Sequence, residues 1–187
     1  QKAHGGGMVL DWGIHLLDPA LRIAEGRKLI SVYAELTNVT NEECDDGFSV
    51  TLIFEGDLSM YVEVTTSNFI ELPRWYILGE NGSAVINDWD LNGEIVKVSD
   101  WENRDAVPIL AGVGLTKTMA PRTDDTIKHY PLPKVDSSWT QFYENVFAAL
   151  RGEEEQLITH DQQRRLLKLV DAIFESGNEN KVVFFDK

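Results

Sequence analysis

Residues 48–65 read FSVTLIFEGDLSMYVEVT, and this stretch decides the fold that the sequence predicts. Apolar residues alternate with hydroxyl-bearing or charged residues on both sides of Glu55-Gly56-Asp57. Successive side chains of a strand point to opposite faces of a sheet, and a short glycine-containing turn joins antiparallel strands. The stretch therefore predicts a β-hairpin with one apolar face, whose other face mixes hydroxyl groups with Ile53 and Tyr61.

Further strands are predicted on both sides of this hairpin. The same alternation, or a short apolar run, predicts strands at residues 29–36, 75–78, 83–87, 95–98 and 182–185. Asn81-Gly82 is one of the stronger signals for a hairpin turn, and the polar, acidic residues 38–47 predict a loop or a twisted edge. Residues 100–136 hold four of the six prolines and no sustained period. We expect that segment to form a lid, an interface arm or a disordered insertion.

An amphipathic helix is predicted after this segment. Ser137 or Ser138 can serve as its N-cap, and Gly152 stands just past its end. Its apolar stripe is interpreted as core and not as a cofactor-binding surface; it consists of Trp139, Phe142, Tyr143, Val146, Phe147 and Leu150.

A second helix is predicted to begin at the capping-box pattern Thr159-x-x-Gln162 and to close at Gly177. The apolar face of consecutive antiparallel strands must pack against other elements. The helices that precede and follow the strands in the chain can cover it. The predicted fold class is therefore α+β, a mainly antiparallel open β-sheet with helices packed on one face, in the form of a two-layer α/β sandwich.

The stretch Gly5–Asp18, GGGMVLDWGIHLLD, contains the side chains that are best suited to chemistry. Asp11, His15 and Asp18 stand at i, i+4 and i+7, so they share one stripe if the segment is helical. The three glycines permit positive φ angles and the close approach of another chain segment or a ligand. We therefore expect the start of this helix to belong to a site, although Asp18 before Pro19 can instead N-cap a new helical turn.

A carboxylate one helical turn before His15 suits a general acid/base, because histidine titrates at about pH 6.5. Two other interpretations of the pattern stay open. His15 can be a solvated or core-satisfied histidine beside an Asp11 that favours the helix dipole. A metal site would need a further histidine or cysteine, and none stands near.

The ordered set Gly-Gly-Gly, Asp11-x-Gly13-x-His15 and Asp18 resembles the second-domain signature of the Gfo/Idh/MocA oxidoreductases. The turn GENGSAVI and the tail from Phe142 through Phe185 fit the same pattern, so the resemblance covers nearly the whole chain. It implies an NAD(P)-dependent enzyme that acts on sugars, inositols or related polyols, with His15 acting on the substrate hydroxyl proton and Asp11 beside it as the second catalytic residue. It also implies an open sheet whose bare face commonly forms the subunit interface.

No G-x-G-x-x-G motif follows a strand and opens a helix in this sequence. We therefore expect residues 1–187 to be a single C-terminal domain for substrate binding and oligomerisation, with no cofactor-binding residues of its own. The dinucleotide-binding domain for NAD or NADP and the lysine of a Glu-Lys-Pro motif are expected upstream of Gln1, and the chain alone is expected to be inactive. The alternative is a non-catalytic dimerisation or scaffold domain that has lost redox chemistry.

Two residues are tentative substrate contacts, Trp12 next to the signature and Arg74 before a predicted strand, although Trp12 can instead belong to the core. Homo-oligomerisation is expected through the open sheet face, to which Ile53, Tyr61 and the tryptophans of later strands could contribute.

The charge balance disfavours several classes of partner. Seventeen basic and 31 acidic residues give a net charge of -14, and no basic run is present to neutralise phosphates, so nucleic acid and anionic membrane are not expected partners. No apolar run approaches the roughly 20 residues of a membrane span. The single cysteine, Cys44, cannot form an internal disulfide and fits a reducing compartment, so a cytoplasmic location is expected.

Overall fold

The predicted hairpin is present in the computed structural model, which describes residues 2–102, 109–116 and 123–185. In those residues the strands are β1 (Leu29–Thr37), β2 (Gly47–Phe54), β3 (Leu58–Thr65), β4 (Trp75–Gly79), β5 (Gly82–Ile86), β6 (Gly93–Val98), β7 (Ile109–Ala111), β8 (Gly114–Thr116), β9 (Ile127–Pro131) and β10 (Val183–Phe184). The helical elements are a 3₁₀ turn (Lys2–His4), a π-helical segment (Val9–Gly13) that continues into α1 (Ile14–Ile23), and the helices α2 (Trp139–Leu150) and α3 (His160–Glu179). The chain divides into a first unit, Gln1–Phe69 with Ser138–Lys187, and a second unit, Ile70–Ser137.

The first unit contains an antiparallel sheet in the order β10-β1-β2-β3. Its register places Ala34, Val50 and Val62 side by side, so the apolar residues of the three long strands share one face. The helices α1 and α3 pack their apolar stripes on that face. The core that results includes Leu17, Leu21, Val32, Phe48, Leu52, Phe54, Leu169 and Ile173. The predicted α+β class, with helices on one face of an antiparallel sheet, is confirmed.

Helix α3 begins as predicted and ends later than predicted. The Thr159 hydroxyl accepts from the Gln162 N–H at 3.2 Å and the Gln162 side chain accepts from the Thr159 N–H at 2.9 Å, which forms the predicted capping box. The prediction that Gly177 closes the helix is wrong, because α3 continues to Glu179 and Asn180 takes the left-handed conformation at φ 50°. Gly177 instead permits close packing, since an added Cβ atom would lie 2.5 Å from Cγ of Leu36 on β1.

The interpretation of the α2 stripe as core is wrong. Helix α2 has the predicted limits: Ser138 accepts from the Thr140 N–H at 3.2 Å, and Gly152 follows the end at φ 72°. Its buried side chains are those of Asn145 and Ala148, on the side opposite the stripe. The six stripe residues are exposed; they are Trp139, Phe142, Tyr143, Val146, Phe147 and Leu150. Periodicity identified the helix correctly, but the neighbour of the apolar face is not encoded in it.

The second unit contains a four-stranded antiparallel sheet in the order β4-β5-β6-β9 and a two-stranded sheet of β7 and β8. The predicted tight turn between β4 and β5 is present, but its two loop residues are Glu80 and Asn81, and Gly82 already belongs to β5, where it pairs with Gly79. The described part of the segment 100–136 contains the strands β7, β8 and β9, so it has more regular structure than the sequence predicts. Residues 103–108 and 117–122 of this segment lie outside the described residues. Strand β9 completes the sheet by pairing with β6. The sequence predicts a single sheet, whereas the described strands form three.

Candidate active site at the start of the first helix

The glycines that precede the helix have the roles that the sequence predicts. Gly5 and Gly6 have φ angles of 118° and 91°, which other residues rarely adopt. Gly7 is buried, and a Cβ atom there would lie 2.1 Å from Oδ1 of Asp45 and 2.3 Å from its carbonyl oxygen. The approach of a second chain segment therefore requires glycine at position 7.

Asp45 fixes the start of the helix from a distant part of the chain. Its carboxylate accepts from the Val9 N–H at 2.8 Å, and its carbonyl oxygen accepts from the Met8 N–H at 3.1 Å. The first N–H groups of a helix have no partner within the helix, so Asp45 acts as a tertiary cap. The Asp45 side chain is buried, which places this cap inside the first unit. The sequence predicts for Asp45 only a place in a polar, acidic loop.

The first turn of the helix is a π turn. The Gly13 N–H donates to the Met8 carbonyl, five residues earlier, at 2.7 Å. Gly13 is buried, and a Cβ atom at this position would lie 2.9 Å from the ring of Phe48. Single π turns inside α-helices are frequent at functional sites.

The prediction that Asp18 N-caps a new turn is wrong, because α1 runs through Pro19 without a break. The helix already begins at Val9, so no new cap is needed at Asp18. A proline inside a helix offers no N–H to the carbonyl group four residues earlier, which here belongs to His15. The Asp18 carboxylate instead lies 3.9 Å from Nε of Arg22, and this partly exposed pair contributes little to stability.

Asp11, Trp12 and His15 are all exposed on this helix start. The rings of Trp12 and His15 meet edge to face, with their centroids 6.1 Å apart. In the described part of the chain, no hydrogen bond or ion pair joins Asp11 to His15. With 46% of its surface accessible, Trp12 is not a core residue, and the core interpretation is wrong. The structure therefore brings together three of the predicted site residues, each accessible to a ligand.

Asp46, next to Asp45, organises the acidic loop that precedes β2. The Thr40 N–H, the Thr40 hydroxyl at 2.9 Å and the Thr37 hydroxyl at 3.3 Å all donate to its carboxylate. Hydrogen bonds from the N–H groups of Thr40 and Val39, followed by those from the two hydroxyls, lower the pKa of Asp46 to about 2. Asp46 is therefore ionised at neutral pH and stabilises the loop from which Asp45 reaches the helix.

Arg74, the other predicted substrate contact, lies in the second unit. Its guanidinium group stacks on the ring of Trp89 at 3.6 Å from the centroid, a cation–π contact. The structure assigns Arg74 this contact within its own unit, so a role toward a substrate stays a prediction.

Neither a metal site nor a dinucleotide phosphate site is found at the helix start. In residues 2–102, 109–116 and 123–185, no three histidine, cysteine or acidic side chains are grouped so that they could hold a metal ion. A helix N-terminus binds phosphate through free N–H groups, but here those of Met8 and Val9 are bonded to Asp45. A phosphate at this position would meet a carboxylate, so the glycine stretch does not fit the pyrophosphate of NAD or NADP.

None of the described helices is both long enough and apolar enough to cross a membrane.

The chain is similar to proteins of known family and structure. Residues 1–85 match the sequence model of the GFO/IDH/MocA C-terminal domain. An NAD-binding protein from Listeria innocua, known from its crystal structure, is 42% identical and superimposes with a TM-score of 0.87, over 99% of this chain and 53% of that protein. Residues 1–85 therefore belong to the GFO/IDH/MocA family of C-terminal domains. The family resemblance in the sequence is thereby confirmed.

More distant structures share the fold of this GFO/IDH/MocA domain. The WlbA dehydrogenase from Bordetella pertussis, solved in complex with NADH and UDP-GlcNAcA, is 19% identical with a TM-score of 0.63, over 97% of this chain and 46% of that protein. None of the curated proteins compared with the chain matches it. The chain spans about half the length of the two solved structures, 53% and 46%.

Proposed function

We propose that this chain is the C-terminal substrate-binding and oligomerisation domain of an NAD(P)-dependent oxidoreductase that acts on a hydroxyl or carbonyl group of a sugar, an inositol or a related polyol. The observation that carries this proposal is the accessible group of Asp11, Trp12 and His15 on a helix start that Gly7 and Asp45 hold in place. This group lies within the residues that match the family model. The NADH and UDP-GlcNAcA in the Bordetella dehydrogenase support the classes of cofactor and substrate.

His15 is the proposed acid/base. An accessible imidazole can accept the proton of a substrate hydroxyl during oxidation and return it during reduction, and a positioned acid/base contributes about 10²–10⁴-fold to the rate. Trp12, in edge contact with His15, offers the aromatic surface on which a sugar ring can pack. The exposed Asp11, with no bond to His15 in the described structure, is better placed to accept a hydrogen bond from a substrate hydroxyl than to orient the imidazole.

The cofactor is proposed to be bound by a separate N-terminal domain, because the helix start described here does not fit its phosphates. NAD or NADP supplies the hydride chemistry when it is bound. The part that belongs to this chain is to bind the substrate, to orient its hydroxyl groups and to move one proton at its reacting oxygen.

Self-association through the open face of the first-unit sheet is part of the proposal. Ile53 and Tyr61 are exposed on this face, and the Tyr61 hydroxyl donates to Glu63 at 2.9 Å. An apolar side chain surrounded by hydroxyl groups and tyrosines suits a moderately polar interface between subunits.

The test is kinetic and uses the full-length polypeptide. His15→Ala is expected to lower kcat by about 10²-fold or more and to remove the limb of the pH profile that a histidine acid/base produces. His160→Ala is the matched control, since His160 is also an exposed helical histidine but begins α3. It should leave kcat and the pH profile unchanged.

Asp11→Asn separates the two possible roles of that carboxylate. If Asp11 binds a substrate hydroxyl, KM should rise while the pH limb is kept; if it orients His15, the pH limb should shift. Unchanged turnover in His15→Ala, with only earlier melting, would make His15 a packing residue and would favour the non-catalytic scaffold.

A further inference from the structure

The exposed stripe of α2 is an extended apolar feature of the first unit that the proposed active site does not use. Trp139 is 90% exposed, Leu150 79%, and Tyr143 and Phe147 60% each. Together with Phe142 and Val146, these side chains offer apolar surface on the order of 700 Å², by the usual areas of aromatic side chains. The largest patch on a typical monomer is about 300–600 Å², and larger patches mark interaction sites.

Hydrogen bonds of the Asn145 side chain fix the position of helix α2 and of its apolar stripe. The buried Asn145 side chain donates to the Glu155 carbonyl at 2.9 Å and to the Glu154 carboxylate at 3.2 Å, and its oxygen accepts from the Leu157 N–H at 3.0 Å. The helix is thus tied to the segment that follows it, and its apolar side is turned away from that attachment. A helix held in this way presents a preformed surface.

A groove of about 870 Å³ extends the stripe along the following segment. Phe142, Val146, Ala149 and Leu150 form its helical wall, and Ile158 lies on the other side. The groove is large enough to receive side chains from a folded partner. Glu154 and Glu155 also line it, so the partner surface should carry basic groups next to its apolar centre.

We propose that the α2 stripe and this groove are the docking surface for the upstream, dinucleotide-binding part of the same polypeptide. The matched family model describes a C-terminal domain, this chain covers 53% of the Listeria protein, and the proposed function assigns the dinucleotide-binding part to the N-terminal side. Interfaces between domains of one chain bury roughly 600–1,500 Å², which the stripe can supply. The inference rests on the proposed function in one respect, namely that the polypeptide continues upstream of Gln1 with that domain.

An upstream domain has an advantage over a second copy as the occupant. It is tethered to Gln1, so its effective concentration at the stripe is in the millimolar range and does not depend on assembly. A stripe this apolar would otherwise be exposed whenever the protein is dilute.

Photo-cross-linking in the full-length polypeptide tests the inference. Phe147 is replaced by p-benzoyl-L-phenylalanine, and Tyr61 on the open sheet face is replaced in a matched control, since the two aromatic residues are 60% and 63% exposed. After irradiation at a concentration at which the protein is monomeric, the Phe147 variant should yield cross-linked peptides that join α2 to residues upstream of Gln1. The Tyr61 variant should yield none of these.

Cross-links from position 147 to a second polypeptide, or none outside residues 1–187, would overturn the inference. The same replacement at Leu150, which is even more exposed, repeats the test if the first variant fails to fold. The readout requires no turnover. A cross-linked but inactive protein would therefore refute the proposed reaction and leave the docking surface intact, whereas an active protein without the cross-link would do the reverse.

Discussion

Helices α2 and α3 share the same apolar periodicity but place it in different environments. The stripe of α3 lies on the sheet, where Leu169 and Ile173 are completely buried, whereas the stripe of α2 faces outward and its aromatic residues are exposed. Both helices start with a side-chain cap and end near a residue with positive φ. Both sequences therefore contain the local features that form a helix. The two helices differ in what lies opposite their apolar stripes.

The anchors of the two helices differ in kind. Helix α3 is held by buried apolar side chains and by Ser176, whose hydroxyl accepts from the Ala34 N–H at 2.8 Å and donates to the Lys181 carbonyl at 2.6 Å. Helix α2 is held mainly through Asn145. In this chain α3 should therefore unfold together with the sheet, whereas α2 can open separately.

The largest effect is expected from a matched pair of leucines in the 187-residue chain. Leu169→Ala should lower the free energy of unfolding by about 2–5 kcal/mol, because it leaves a cavity in the core. Leu150→Ala should change it by less than about 0.5 kcal/mol, because Leu150 is 79% exposed. Urea denaturation measures both values. A similar loss for the two variants would show that α2 packs in solution, and the contrast between the helices would fail.

The elements that sequence predicted correctly depend on residues close together in the chain. The hairpin follows from the alternation around Gly56, and the start of α3 follows from Thr159 and Gln162, three residues apart. The burial of a stripe depends on what lies opposite it, and the pattern from Trp139 to Leu150 carries no such information. The periodicity therefore predicts a core position for aromatic residues that lie on the surface.

The candidate site shows the same limit. The Gly-Gly-Gly stretch and the residues Asp11 and His15 could be recognised from the sequence as one motif. The hydrogen bond that fixes the start of their helix joins the Val9 N–H to the Asp45 carboxylate, 36 residues later in the chain. No local sequence pattern predicts this bond. The π-helical segment ends at Gly13, where a Cβ atom would lie 2.9 Å from the ring of Phe48, and this contact also joins residues that are distant in the sequence. Sequence thus indicated candidate residues, but not the long-range contacts that position their helix.

A smaller effect should separate the polar anchors. Ser176→Ala should cost about 1–3 kcal/mol of global stability, because it leaves the buried Ala34 N–H without its partner. Asn145→Ala should instead speed hydrogen exchange of the α2 amides and leave the global free energy of unfolding nearly unchanged. Gln141→Ala, at an exposed position on the same helix, is the control and should affect neither quantity. A global loss in Asn145→Ala equal to that of Ser176→Ala would mean that the two helices unfold as one unit.

The smallest expected effect compares the two N-caps, where the local chemistry is nearly the same. Thr159→Ala removes the capping box of α3 and should cost about 1 kcal/mol in urea denaturation, since α3 unfolds with the core. Ser138→Ala removes the hydrogen bond from the Thr140 N–H at the start of α2, a comparable local loss. If α2 opens independently of the sheet, that loss changes only the opening equilibrium of α2. Faster exchange at the N-terminal end of α2 with an unchanged urea midpoint is then expected. An equal shift of the midpoint in both variants would contradict independent opening, because a cap contributes to global stability only when its helix unfolds in the same step.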